Sequence, residues 1–151
     1  MFKKLAFLGV AVSMLSACSI TQNVEPAELV SGKQLCIVEN SDVREGFLTE
    51  LRASLDARGI QHQVVNEKAI PAGCEWTAQY RAHWNWDLAL YMSYAEIKIY
   101  RNGNLDGEAV YDSRRGGGNM AKFIDAETKI RELVDELIQI KSASLFGRYF
   151  G

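Results

Sequence analysis

Histidine, cysteine and long apolar runs are all scarce in this sequence. Its 151 residues include two histidines, His62 and His83, and three cysteines. Neither histidine has a cysteine or a second histidine at metal-ligand spacing, so we predict no metal site. His83 alternates with the apolar Ala82 and Trp84, which is typical of a solvated sheet face, and we expect His62 to lie on such a face as well. Because no nucleophile stands beside a base and no cofactor motif is present, we predict a protein without enzymatic activity and without a cofactor.

The sequence also lacks a large excess of either positive or negative charge. Lysine and arginine number 17 against 19 acidic residues, and the formal net charge is −2. The sequence has no basic patch of the kind that binds nucleic acid, so we predict no nucleic-acid partner.

The apolar segment at the amino terminus has the length and flanks of an export signal. Lys3 and Lys4 precede an apolar run over residues 5–17. A helix rises about 1.5 Å per residue, so the run covers about 20 Å, short of the roughly 30 Å of hydrocarbon in a bilayer. We therefore interpret residues 1–17 as a signal peptide and not as a membrane span.

The residues that close this run resemble the lipobox of bacterial lipoproteins. Leu15 stands three residues before Cys18, and Ser16 and Ala17 lie between them. The resemblance implies that the Cys18 thiol carries diacylglycerol, that cleavage precedes it, and that the new amino terminus is acylated, which together give stable anchoring. Ser19, in place of an aspartate, resembles the outer-membrane class, with the domain facing the periplasm. The alternative is cleavage after Ala17, with Cys18 a free thiol.

The two remaining cysteines favour a disulfide. After export, Cys36 and Cys74 would lie in an oxidising compartment, where two remaining cysteines most often form a disulfide bond. We predict this bridge, and the alternative is two buried thiols.

The rest of the chain divides into three parts. Residues 18–32 begin with the cysteine that we expect to be lipidated. They are polar and show no period, which predicts a flexible tether after that cysteine. Residues 33–142 hold all the periodic segments and suit one domain. Residues 143–151 form a short apolar tail, which could dock on its own domain or on a partner.

A strand–helix–strand unit opens the domain. Residues 33–40 are a short apolar run typical of a buried strand. A helix should follow, with Asp42 as its N-cap, Glu45 completing a capping box and Gly59 after its carboxyl end. Residues 60–65 predict the second strand, so the unit needs parallel strands and a right-handed crossover.

Three further strands follow as a meander. Residues 76–88 alternate strictly, which predicts one buried face made of Trp76, Ala78, Tyr80, Ala82, Trp84, Trp86 and Leu88. Residues 89–101 are also strand-like, but their parity slips, and a bulge near Tyr94 would explain this. Asn102 and Gly103 predict a tight hairpin turn into a strand over residues 105–112.

A glycine-rich loop and a last helix complete the domain. Arg114 and Arg115 precede three glycines, but the Lys-Ser/Thr ending of a phosphate loop is absent, so we expect a flexible loop over residues 113–119. Apolar residues at helical spacing then predict an amphipathic helix over about 120–142. The predicted fold is a single α/β (α+β) domain in the order β-α-β-β-β-β-α, with two helices packed on a five-stranded mixed sheet.

The aromatic strand also carries a resemblance. Tyr80, Ala82, Trp84, Trp86 and Asp87 form a Y-x-A-x-W-x-W-D pattern after Cys74. With the following hairpin and terminal helix, this resembles a family of small, functionally uncharacterised proteobacterial lipoproteins. The fold implied is similar to that of the TolB amino-terminal domain, the outer-membrane activators of penicillin-binding proteins and the curli-secretion lipoprotein. Because those are interaction or assembly modules, the resemblance implies such a role by analogy of fold alone.

Two functional hypotheses follow from the residues and the resemblance. The first is a non-enzymatic outer-membrane lipoprotein, held by its lipid, whose domain binds an unidentified envelope protein or acts in envelope assembly. The second is a module that binds a glycan or peptide through exposed aromatic rings, although core packing is the simpler role for those rings. The candidate binding residues are Arg81, His83, Arg114, Arg115, Phe146, Tyr149 and Phe150.

Overall fold

The computed structural model describes residues 19–142, which form a mixed α/β domain with one large sheet. Its strands and helices are β1 (Thr21–Glu25), β2 (Ala27–Val30), β3 (Leu35–Val38), α1 (Glu45–Ala57), β4 (His62–Val65), β5 (Trp76–Asp87), β6 (Ala89–Arg101), β7 (Asn104–Asp112), α2 (Ala126–Leu137) and β8 (Ile138–Lys141). Short 3₁₀ helices cover Glu67–Ala69 and Met120–Phe123. The large sheet has the order β1-β7-β6-β5-β3-β4, and β2 pairs with β8 in a separate two-stranded sheet.

The large sheet has six strands, so the prediction of a five-stranded sheet was wrong. The prediction of a flexible tether up to residue 32 was also wrong, because β1 and β2 lie within that segment. β1 pairs antiparallel with β7 and adds an edge strand. Gln22 fastens it to α2, because its Nε2 donates to Glu132 at 3.0 Å and its Oε1 accepts from Lys129 Nζ at 2.8 Å. Lys129 is buried, and its hydrogen bond, followed by that of Gln22, lowers the pKa of Glu132. The partners of β1 are distant in sequence, which is why local periodicity did not reveal the strand.

The last helix is shorter than predicted. α2 begins after Asp125, whose carboxylate accepts from the Thr128 backbone N–H at 2.9 Å as an N-cap. It ends at Leu137, and β8 then runs parallel to β2. The apolar residues of β8 continue the amphipathic pattern, so sequence alone did not separate the strand from the helix.

The strand–helix–strand unit is confirmed, with one correction at the start of the helix. β3 pairs in parallel with both β4 and β5. Arg44, not Asp42, is the N-cap residue of α1, and it makes no side-chain capping bond. Asp42 instead lies in a turn in which its N–H donates to Asn40 Oδ1 at 3.0 Å. Gly59 follows the helix with φ +67°, as its predicted position requires.

The meander, its bulge and its hairpin are also confirmed. β5, β6 and β7 are antiparallel neighbours. The register of β5 and β6 shifts between His83 and Trp84, which face Tyr94 and Met92. Asn102 and Gly103 have φ values of +49° and +80°, the conformation of a type I′ turn.

The predicted buried face of β5 is buried over only part of its length. The first four residues of this face are buried in the core beneath the helices: Trp76, Ala78, Tyr80 and Ala82. Trp84 is half-buried, whereas Trp86 is 75% and Leu88 90% exposed. The prediction of a core position was therefore wrong for Trp86 and Leu88, because the β5–β6 hairpin extends beyond the helices that cover the rest of the face.

The predicted disulfide is present and lies on the other face of the sheet. Cys36 of β3 bonds to Cys74, with their Cα atoms 5.9 Å apart. Val38 and Val65 pack with the two cysteines in a small second core. Across residues 19–142 no helix is both long and apolar enough to span a membrane.

Candidate functional site

The face of the large sheet opposite α1 and α2 is largely polar along β5, β6 and β7. Its β5 residues are exposed, most of its β6 and β7 residues are half-buried, and Glu96 is buried. Alternation and register bring its residues into cross-strand rows, in which His83, Tyr94 and Asp112 are neighbours, as are Arg81, Glu96 and Val110. We call this surface the open sheet face and define it as Gln79, Arg81, His83, Tyr94, Glu96, Lys98, Tyr100, Glu108, Val110 and Asp112, with Arg114 beside it. Side chains on one face of paired strands lie close enough to interact, so these residues act as one surface.

A stack of three side chains marks one end of the open sheet face. The Arg114 guanidinium lies 4.5 Å from the centre of the Tyr94 ring. On the neighbouring strand, the His83 ring lies 5.7 Å from the same ring, tilted by 35°. His83 and Arg114 are exposed and Tyr94 is half-buried. A cation above an aromatic ring at this distance is an attractive contact, so the stack presents an ordered aromatic and basic surface.

Charges of both signs alternate along the middle of the face. The Tyr94 hydroxyl donates to Glu96 Oε2 at 2.7 Å, and Glu96 Oε1 lies 3.5 Å from Lys98 Nζ. Lys98 also lies 3.9 Å from Glu108 on β7. Burial, followed by the hydrogen bond to Glu96, raises the pKa of Tyr94 to about 12, so the phenol stays protonated and keeps donating.

Asp112 holds Arg114 in place over Tyr94. The Asp112 carboxylate accepts from Arg114 Nε at 2.9 Å and from Arg114 Nη2 at 2.6 Å, a bidentate arrangement that fixes the plane of the guanidinium. The hydrogen bond from the Arg114 side chain lowers the pKa of Asp112. Asp112 therefore stays ionised, and Arg114 remains over the ring.

Three of the candidate binding residues lie together on this surface. Arg81, His83 and Arg114 all lie around Tyr94, and Arg115 lines a shallow hollow next to Asp112 and Ser19. The other candidates, Phe146, Tyr149 and Phe150, lie outside the described residues, as does Cys18.

Tyr94 and the end of the β5–β6 hairpin were missed as surface features by the sequence analysis. The bulge shifts the parity of β6, so the alternation of apolar residues did not place Tyr94 on the polar face. Trp86 and Leu90 continue an apolar pattern, and nothing in that pattern marks where the covering helices stop. Trp86 and Leu88 stand at the end of the predicted strand, and that position was the available sign in the sequence of an exposed apolar patch.

A hollow beside the stack contains an aromatic ring and polar groups. His83, Trp84, Asn85, Asp42 and Arg44 line it, together with Arg114. The Arg44 guanidinium lies 5.6 Å from the centre of the Trp84 ring. The hollow is open to solvent, and over residues 19–142 no group of three or more His, Cys, Asp or Glu side chains is placed to hold a metal ion.

Comparison with solved structures gives a fold neighbour. The PelC dodecamer from Paraburkholderia phytofirmans superposes with a TM-score of 0.55 at 15% sequence identity, covering 79% of this chain and 98% of that chain. A single-substitution variant of the same dodecamer gives a TM-score of 0.54 at 14% identity, covering 79% and 95% of the two chains. No family model and no curated protein matches the sequence. At this identity the likeness establishes the fold alone, and it is to PelC and not to the three envelope proteins named from the sequence.

Proposed function

We propose that this chain is a non-enzymatic outer-membrane lipoprotein whose periplasmic domain binds another envelope protein through the open sheet face. The observation that carries the proposal is the stack of His83, Tyr94 and Arg114 on a face that the helices leave uncovered. Tyrosine and arginine are enriched among the residues that dominate binding energy at protein interfaces.

The charge pattern favours a folded protein as the partner. Arg81, Lys98 and Arg114 alternate with Glu96 and Asp112 across the face. A surface that carries both positive and negative charges can recognise a folded protein with the complementary charge pattern. A polymer with charges of one sign would be repelled by the like-charged residues of this face. The PelC neighbours are dodecamers, so a fold of this kind is compatible with assembly into larger complexes.

A photo-crosslinking residue at position 81 tests the interface in intact cells. Replacement of Arg81 should give a crosslinked adduct that mass spectrometry identifies as an envelope protein. The matched control is the same replacement at Arg52, an exposed arginine of α1 on the helical side of the domain. Equal crosslinking at positions 81 and 52, or none at 81, would contradict the proposed interface.

A separate experiment tests the anchor. We expect Cys18→Ser to abolish the uptake of labelled palmitate and to leave the protein uncleaved or soluble, because the residue that accepts the lipid is gone. Cys36→Ser is a matched control, since Cys36 is bonded to Cys74 and should not affect lipid labelling. Labelling and outer-membrane fractionation that survive Cys18→Ser would exclude lipidation at this residue.

The hollow beside the stack supports a second candidate function, the binding of a glycan or peptide. The half-buried Trp84 ring, flanked by His83, Asn85 and Asp42, offers an aromatic surface beside hydrogen-bonding groups. Isothermal titration with soluble peptidoglycan fragments tests this candidate. Binding that is lost in Trp84→Ala and kept in Trp86→Ala would favour it over the protein interface.

A further inference from the structure

The first described residues and the β5–β6 hairpin lie at the same end of the sheet. Thr21 pairs with Asp112, Asp112 with Tyr94, and Tyr94 with His83, so these four residues form one row across the sheet. Beyond that row, β5 continues for four residues to Asp87. At about 3.3 Å per residue, the hairpin therefore projects roughly 13 Å past the start of β1.

Large apolar side chains cover the end of that projection. Trp86 is 75%, Leu88 90% and Leu90 45% exposed. Trp86 and Leu90 are direct cross-strand partners, so their side chains lie on the same face of the hairpin, and Leu88 forms the turn between them. We call these three residues the apolar tip.

Leu88 adopts a strained backbone conformation that the turn alone does not require of a leucine. The chain reverses there with φ +61°, a conformation that glycine and asparagine adopt easily and a branched apolar residue rarely does. A leucine that is 90% exposed gains nothing from the core of its own domain to offset this strain. Contact with an apolar environment outside the domain would supply the missing stabilisation.

The other face of the hairpin is held firmly by the segment before α2. Tyr91 packs edge-on against Phe123, with ring centres 5.3 Å apart. Lys122, which is buried, donates to Asp87 at 2.5 Å and to the Gly117 carbonyl at 2.5 Å. The hairpin is therefore packed on one face, and its apolar face is presented outward.

The candidate lipid attachment lies within a short reach of this end. Cys18 precedes Thr21 by three residues, and three residues of extended chain span at most about 11 Å. Chain connectivity therefore keeps a lipid on Cys18 at the end of the domain from which the apolar tip projects. Arg114 and Arg115, both exposed, follow β7 at the same end.

We infer that the apolar tip inserts into the lipid interface of the membrane that carries the anchor. This inference rests in part on the proposed lipidation of Cys18. Tryptophan prefers the boundary between headgroups and hydrocarbon, and leucine the hydrocarbon below it. Arg115, which is exposed at the same end, lies within reach of the headgroups, where anionic lipids attract it. The tip thus fixes the domain upright on the membrane, with the open sheet face turned sideways towards its partner.

Tryptophan fluorescence tests the inference on the mature protein as purified from membranes. The protein is mixed with vesicles of phosphatidylethanolamine and phosphatidylglycerol in which part of the lipid carries brominated acyl chains. Bromine quenches only tryptophan within the bilayer, so we expect lipid-dependent quenching of the wild type and loss of most of it in Trp86→Phe. Trp84→Phe is the matched control, since Trp84 lies on the same strand but is half-buried, and it should keep the quenching. Leu88→Asn should reduce quenching of Trp86 while leaving the melting temperature equal or higher, because asparagine tolerates the positive φ.

The outcomes separate the tip from the anchor when the mass of the amino-terminal peptide is measured in parallel. An acylated protein that floats with the vesicles but shows no bromine quenching would overturn the tip proposal and leave the anchor standing. A protein without acyl groups whose Trp86 is still quenched would support the tip and overturn the anchor. A Trp86 emission shift that depends on protein concentration and not on lipid would overturn membrane insertion and assign the tip to contact with a second copy.

Discussion

Tyr80 and Asn40 are joined by two hydrogen bonds that link the long central strand to the loop ahead of α1. The Asn40 backbone N–H donates to Tyr80 Oη at 3.0 Å, and Asn40 Nδ2 donates to the Tyr80 carbonyl oxygen at 3.0 Å. The Tyr80 ring stacks on Phe47 of α1, with ring centres 5.2 Å apart. Burial raises the pKa of the Tyr80 phenol, so it stays protonated. This pair fixes the helical layer to the sheet next to the open sheet face.

Tyr80→Phe should therefore lower the free energy of unfolding by about 1–2 kcal/mol, because the ring stack remains but the Asn40 N–H loses its acceptor in a partly buried site. Urea unfolding measures the change. Tyr100→Phe, on the open sheet face, is the matched control and should change stability by less than about 0.5 kcal/mol. Equal midpoints for both variants would mean that the Tyr80 hydroxyl does not stabilise the loop.

The three tryptophans should differ sharply in their contribution to stability. Trp76 is 1% exposed, so Trp76→Ala should cost about 3–5 kcal/mol, the range for large aromatic truncations in a core. Trp86, which is 75% exposed, should change stability by about 0.5 kcal/mol or less in Trp86→Ala. Trp84 should fall between them. Thermal unfolding of the three variants without lipid measures the order, and a Trp86→Ala cost as large as that of Trp76→Ala would contradict the exposed hairpin.

The Asp112–Arg114 pair predicts a pH dependence in acid. The pKa of Asp112 is lower in the folded protein than its ordinary value of about 3.9, because Arg114 bonds its ionised form. The stabilisation is thus present above the ordinary value and is lost as pH falls through the lower native value. In Arg114→Ala the Asp112 carboxyl should titrate at a higher pH, which carboxyl-detected NMR measures, and Arg115→Ala should raise it less. An Asp112 titration that is the same in wild type and Arg114→Ala would show that the pair does not form in solution.

The disulfide should carry a large share of the stability. Cys36 and Cys74 are separated by 38 positions, and the chain-entropy account assigns a loop of this size about 4 kcal/mol. The double variant Cys36→Ala/Cys74→Ala should lose about that amount in urea unfolding. Treatment of the wild type with reductant should give a similar loss and should leave the double variant unchanged. A double variant as stable as the oxidised wild type would contradict this prediction.

The apolar tail remains open to a direct test. Leu145, Phe146, Tyr149 and Phe150 crowd into six positions beyond the described residues. Deletion of residues 144–151 should lower the melting temperature if the tail docks on its own domain. If the melting temperature is kept while co-purifying partners disappear, the tail is an interface. If neither changes, the tail has neither role.

Local patterns in the sequence were sufficient for the middle of the domain. The strand–helix–strand unit, the bulge near Tyr94, the Asn102–Gly103 turn and the Cys36–Cys74 bridge all follow from short-range periodicity, turn chemistry or cysteine count. The elements that were missed, β1, β2 and β8, are short and pair with strands far away in sequence. Such pairing depends on the partner strand, which no local window contains.

The candidate site shows the same division. The polar alternation on β5 predicts that Arg81 and His83 share one surface, whereas their proximity to Arg114 depends on the pairing of β7 with β6. The sequence is enough to show which residues are apolar, how they alternate and where the chain turns, because these depend on neighbours within a few positions. The folded domain is needed to show that the apolar face of β5 is covered as far as Ala82 and exposed at Trp86. The reason is physical: burial depends on how far the packed helices reach along the sheet, and that length is set by packing between distant segments.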